Sequence, residues 1–99
     1  MDWMIKIEEL TVENKKIWGL VANLPKAPLV VLIAPKGYIM CGYLNLGMAE
    51  GLDQVAAIVR GVNSVEDMLK KEISASTSQA KNLGIIDGMP VKEAVKKLL

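Results

Sequence analysis

One cysteine, one arginine and a few carboxylates are the side chains of this 99-residue chain with chemistry to offer. Cys41 stands between Met40 and Gly42 in an apolar run. A thiol becomes a nucleophile when a neighbour lowers its pKa. Gly42 leaves room for a substrate, and Tyr38 or Tyr43 can donate a proton, but no base or positive helix end is in view. Arg60 is the only arginine among twelve cations, and it ends an apolar stretch. Its fork-shaped guanidinium suits a carboxylate or another anion. Glu50, Asp53, Glu66 and Asp67 are candidates for acid–base work, but neighbours in sequence do not face each other on a helix. Asp67 also has an explanation as a helix-capping residue, and a solvated face accounts for the others.

What is missing narrows the chemistry further. The chain has no histidine, so Ser-His-Asp and Cys-His catalysis and His-ligated metal sites are excluded. One cysteine cannot build a zinc-thiolate site or an internal disulfide, and it fits a reducing, cytoplasmic compartment. No metal and no cofactor is expected. Twelve basic residues against eleven acidic ones leave a net charge of +1, without the electrostatic footprint of a nucleic-acid binder. Lys70-Lys71 and Lys96-Lys97 are basic pairs without interleaved aromatics. The N-terminal Met1-Asp2-Trp3-Met4 lacks a basic region and a long apolar stretch, so no signal peptide is expected. No apolar run approaches the roughly 18 residues of a membrane span.

The elements that must position these residues are organised around residues 28–46. Two apolar runs, 29–34 and 38–44, flank Pro35-Lys36-Gly37. Each is too short for a helix, and together they read as a β-hairpin buried on both faces. Gly37 is expected at φ > 0 in the turn. Before them, residues 3–9 alternate, with Trp3, Ile5 and Ile7 on one side and Met4, Lys6 and Glu8 on the other. Residues 11–16 form a polar turn, and residues 17–24 a second strand in which Gly19 signals a bulge or a close backbone approach. Four such strands make an antiparallel meander. After Leu44 the pattern changes. Asn45 is an N-cap for a short helix over about 46–52, and residues 55–59 are another buried strand. Ser64 to Asp67 matches a capping box, and residues 72–76 an edge strand. Ser76 with Gln79 starts a helix that stops at Gly84. Pro90 opens the last helix, where Val91, Ala94, Val95 and Leu98 share one stripe. Six methionines read as adaptable core filling, in preference to a pliable interface.

Leu24-Pro25-Lys26, the run Gly37-Tyr38-Ile39-Met40-Cys41-Gly42-Tyr43-Leu44, Val59-Arg60-Gly61-Val62, and Leu83-Gly84-Ile85 followed by Asp87-Gly88-Met89 carry a resemblance. From about Ile17 onward the chain resembles the YunC-like small domains of bacteria and archaea, a family of unknown function. The resemblance implies a small mixed α/β domain and supplies no activity. Pro90-Val91 departs from the pattern, where a threonine and a small polar residue are expected, and this bears on the cap of the last helix.

The expected fold is a single α+β domain over residues 1–99: an antiparallel meander extended by a crossover strand, with helices packed on the sheet. The link from residue 44 to 55 is about the minimum for a right-handed crossover between parallel strands. Their carboxyl ends would then bring Asn45 and Gly47 to face Arg60 and Gly61, where ligands of α/β sheets bind. These four are the candidate ligand-binding residues, for a small anionic ligand. Against this, Arg60 can simply pair with Glu66 or Asp67. Cys41, about three residues (~10 Å) back from the expected strand end, is placed inside the sheet. The expected function is a small, non-catalytic, self-associating domain, most simply a homodimer. The alternatives are a cysteine-dependent enzyme using Cys41, and a subunit that docks on another protein through a strand edge or apolar patch. The motive for self-association is 52% hydrophobic residues in a chain with much surface per volume.

Overall fold

The computed structural model describes residues 4–99; Trp3, expected at the start of the first strand, lies outside them. Ten elements follow in chain order: β1 (Ile5–Val12), β2 (Lys15–Ala22), β3 (Leu29–Ala34), β4 (Gly37–Met40), α1 (Leu46–Gly51), β5 (Ala56–Ile58), α2 (Val65–Leu69), β6 (Ala75–Ser76), α3 (Ser78–Asn82) and α4 (Val91–Lys96). The strands form one mixed sheet in the order β1-β2-β3-β4-β5-β6. Every pair is antiparallel except β4 and β5, which α1 joins as a parallel crossover. The expected meander, crossover and packed helices are all present.

Several boundaries move for physical reasons. Between β1 and β2 only Glu13 and Asn14 turn, both at positive φ (49° and 67°). Such a two-residue turn matches the strand twist, so Thr11 and Lys16 pair instead of looping. Gly37 is not at positive φ, contrary to expectation. A Cβ there would stand 2.4 Å from the Val55 carbonyl oxygen, so the close approach of β5 selects the glycine. Gly19 sits in continuous register without a bulge, and a Cβ on it would come 2.7 Å from Cγ2 of Val65 on α2. The third helix is capped by Thr77 rather than Ser76, which belongs to β6. Thr77 is fully buried. Its hydroxyl donates to the Gln54 carbonyl (2.7 Å) and accepts from Ala56 N and Ala80 N, tying β5 to α3. Ser64 caps α2 through Asp67 N at 3.0 Å, while the Asp67 carboxylate reaches one residue further back, to Asn63 N. Pro90 caps α4 without a side-chain bond, and the Val91 N–H is taken up by the Lys71 carbonyl.

The two faces of the sheet fare differently. On the inner face Ile17, Val30, Leu32, Ile39, Cys41, Ala57 and Val59 pack in one core against Val65 and Met68 of α2, Ala80 of α3, and Val91, Ala94, Val95 and Leu98 of the last helical stretch. The stripe expected for α4 is buried throughout. On the outer face Val31, Ala56 and Ile58 are buried where α1, with Ala49, crosses β5. Over β1, β2 and the Ile33 end of β3, no described residue covers that face. Ile5, Ile7, Trp18 and Ile33 are exposed, at 44% to 62% of their surface. Lys6 and Glu8, by alternation, lie toward the helices and not among them.

Candidate functional site

The parallel pair β4/β5 sets the site. Its strands run in register, Met40 opposite Ile58, so both carboxyl ends reach the same edge of the sheet. β4 stops at Met40, earlier than the apolar run suggests, because the Leu44 N–H bonds the Cys41 carbonyl at 3.1 Å and closes a turn over residues 41–44. Cys41 is therefore at the strand end, not three residues behind it. It remains in contact with β3: its N–H donates to the Val30 carbonyl (2.9 Å), and its Sγ accepts from the Val30 N–H (3.3 Å). The residue is 4% exposed, yet it lines a cleft of about 470 Å³. The thiol is thus both core and cleft wall.

Across from Cys41 the cleft is walled by Gly61, Val62 and Asn63, which follow β5, and by Gly42 and Tyr43 on the near side. Gly61 adopts φ +75°, a left-handed turn that suits glycine. Its carbonyl accepts from Lys71 Nζ at 2.9 Å. The Tyr43 hydroxyl donates to the Ala27 carbonyl at 3.1 Å and fastens the rim to the segment before β3. The Asn63 N–H is held by Asp67 Oδ2 at 3.0 Å.

Of the residues marked in the sequence, Cys41 and Gly61 line the cleft; Asn45, Gly47 and Arg60 do not. Asn45 is committed to α1: its side chain accepts from Met48 N at 3.0 Å and its carbonyl from Ala49 N. Gly47 lies inside that helix. The Arg60 N–H donates to Ser74 Oγ at 3.2 Å, but among the described residues its guanidinium has no ion-pair or hydrogen-bond partner, Glu66 and Asp67 included. Its stem passes beside the cleft, with Cγ 3.9 Å from the place a Gly42 Cβ would take. Tyr43, named in the sequence only as a proton donor to Cys41, and Val62 and Asn63, which follow Arg60-Gly61 at the strand end, are walls of the cleft. The turn that ends β4 brings Tyr43 in, hidden in an uninterrupted apolar run, while Val62 and Asn63 come with the end of β5.

The carboxylates are dispersed. Glu50 Oε1 accepts from Ser78 N (2.9 Å) and Ser78 Oγ (3.1 Å), joining α1 to the start of α3. Asp67 serves the α2 entry, and Glu66 faces a separate groove with Lys6 and Glu8. Among the described residues no three metal-ligating side chains come together, and no helix is long and apolar enough to cross a membrane.

Comparison with known proteins agrees with the expected family. A model described as Domain of unknown function (DUF1805) matches residues 40–98, which takes in the whole cleft apart from its rim before β3. The uncharacterized protein YunC of Bacillus subtilis (strain 168) is 29% identical over 100 residues, covering 97% of this chain and 99% of its own. The crystal structure of TA1206, a protein of unknown function from Thermoplasma acidophilum, is similar with a TM-score of 0.94 at 30% identity. That likeness covers 97% of this chain and 94% of the other.

Proposed function

The chain belongs to the DUF1805 family, and from that premise we propose that it is a self-associating domain that acts by binding and not by catalysis. Its working unit is a homodimer formed through the bare outer face of β1 to β3. One observation carries this reading. Cross-strand neighbours Ile7 and Leu20, and Trp18 and Ile33, form a contiguous apolar patch, with Ile7 62%, Trp18 44% and Ile33 44% exposed. Isolated apolar residues on a surface are ordinary, whereas a contiguous apolar patch marks an interaction site.

Size and shape favour a second copy as occupant. Strands of up to eight residues, at about 3.3 Å per residue and ~4.8 Å apart, give a three-stranded face of roughly 14 by 26 Å. That footprint, about 360 Å² per partner, is at the small, weak end of specific interfaces. Two such faces pack at about −30° as in a β-sandwich, and a two-fold axis makes one patch self-complementary. Trp18 supplies a central aromatic anchor. The ion pair Glu9–Lys16 (3.6 Å), at the turn end of the same face, supplies a polar rim. Against catalysis by Cys41 stands its setting: the sulfur's hydrogen-bond partner is a backbone N–H and not a base.

Light scattering across a dilution series tests the proposal. A mass of two chains is expected at tens of micromolar, falling toward one chain near a micromolar, as an interface of this size implies. A single monomeric species at every concentration would reject it.

A further inference from the structure

The cleft at the carboxyl ends of β4 and β5 has a second use that does not depend on the dimer. We infer that it binds a small organic carboxylate, with the carboxyl group held by Arg60 and the apolar body lying against Cys41 and Val62. Four observations converge on this. The cleft, about 470 Å³, is large enough for a ligand of some ten heavy atoms. It opens where the antiparallel meander gives way to the parallel pair, at strand carboxyl ends, the position ligands take in α/β sheets. Its opposite walls are glycines, Gly42 and Gly61, which leave backbone accessible at the surface.

The fourth observation is charge. Two cations stand at those two glycines: the Arg60 stem beside Gly42, and Lys71 Nζ on the Gly61 carbonyl. Among the described residues no carboxylate lines the cleft. The Arg60 guanidinium is free among the described residues, so it can meet an incoming carboxylate with both arms of its fork. Asn45 and the α1 amides, by contrast, are already engaged with each other. Val62, at 6% exposure, and Cys41, at 4%, give the cleft an apolar floor that an inorganic anion would leave unused.

The test is an amide-resolved NMR titration of the full chain with sodium benzoate, using benzamide as the uncharged counterpart and Arg60→Gln as the variant. Arg60 is exposed and its side chain bonds no described residue, so the variant keeps the fold and its spectrum reports that directly. Benzoate is expected to shift the Gly42, Gly61 and Val62 amides saturably, with a dissociation constant in the millimolar range, about the strength of one charged anchor with a small apolar contact. Benzamide, and benzoate with Arg60→Gln, are each expected to bind about tenfold more weakly, the effect of removing a charge-assisted hydrogen bond. The inference fails if benzoate leaves those three amides unmoved up to about 20 mM, a concentration well above such a constant. It fails equally if benzamide or the Arg60→Gln protein matches benzoate on the native protein. Repeating the titration below the dimer's dissociation range separates this result from the dimer proposal.

Discussion

Leu32 and Ile33 are neighbours on β3, similar in size and apolarity, yet Leu32 is 1% exposed and Ile33 44%. The same split runs through β2, where Ile17 is 1% exposed and Trp18 44%. Both faces of these strands are apolar, as in a strand buried on both sides. The inner face is closed by α2, α3 and the last helical stretch, whereas α1 reaches only the β5 end of the outer face. Apolar content therefore tells how many faces a strand is built to bury. It does not tell whether the chain itself supplies the cover. The four helices suffice for one face and a corner of the other, and the remainder is the surface on which the proposed function rests.

Substitutions on the two faces should separate sharply. The largest effect is expected for Leu32→Ala, which opens a cavity in the inner core and should cost about 2–5 kcal/mol in chemical denaturation. Its neighbour Ile33→Ala, read on the monomer, should cost under about 1 kcal/mol; equal losses would erase the distinction between the faces. Gly19→Val comes next. Its added Cβ meets Val65 at 2.7 Å, so α2 must shift on β2, at about 1–3 kcal/mol. Thr77→Val keeps the shape but strips a cap and two ties between β5 and α3, which should lower stability by about 1–2 kcal/mol. Cys41→Ala should cost on the order of 1 kcal/mol, as for a small buried side chain. The native thiol should also react slowly with iodoacetamide at neutral pH. Rapid alkylation would revive a cysteine-dependent activity at the cleft. Smallest of all, Ile7→Lys should leave monomer stability within about 0.5 kcal/mol, because Ile7 is 62% exposed and outside the described core.

Much of the fold was legible because period and punctuation agree. Alternation, the Pro35 turn, the Asn45 and Ser64 caps, Gly84 after α3 and the α4 stripe each mark an element that the structure contains. The errors have one origin: local pattern cannot see the neighbour that decides. Gly37 reads as a turn glycine, but the carbonyl of Val55, eighteen residues on, requires it. Alternation in β1 leaves open which side is buried, and register with β2 turns Lys6 and Glu8 toward the helices and leaves Ile5 and Ile7 exposed. The site was legible in outline only. The parallel pair and the shared edge were foreseeable from crossover length, and they place Gly61 in the cleft. Cys41 was misplaced because residues 38–44 look like one strand; the turn that ends it is made by backbone hydrogen bonds to which no side chain points.

The most direct test of the central claim is the solution mass of the double variant Ile7→Lys, Trp18→Lys beside the native chain, by light scattering at matched concentrations of tens of micromolar. Two lysines on the bare face place like charges opposite each other across a two-fold interface, at a penalty of several kcal/mol to association. Both positions lie outside the buried core, so the fold should persist, as circular dichroism on the same samples would register. The native chain should weigh as a dimer and the folded double variant as a monomer. A folded double variant that keeps the native dimer mass would contradict the account, because the second copy would then sit on some surface other than the bare face of β1 to β3.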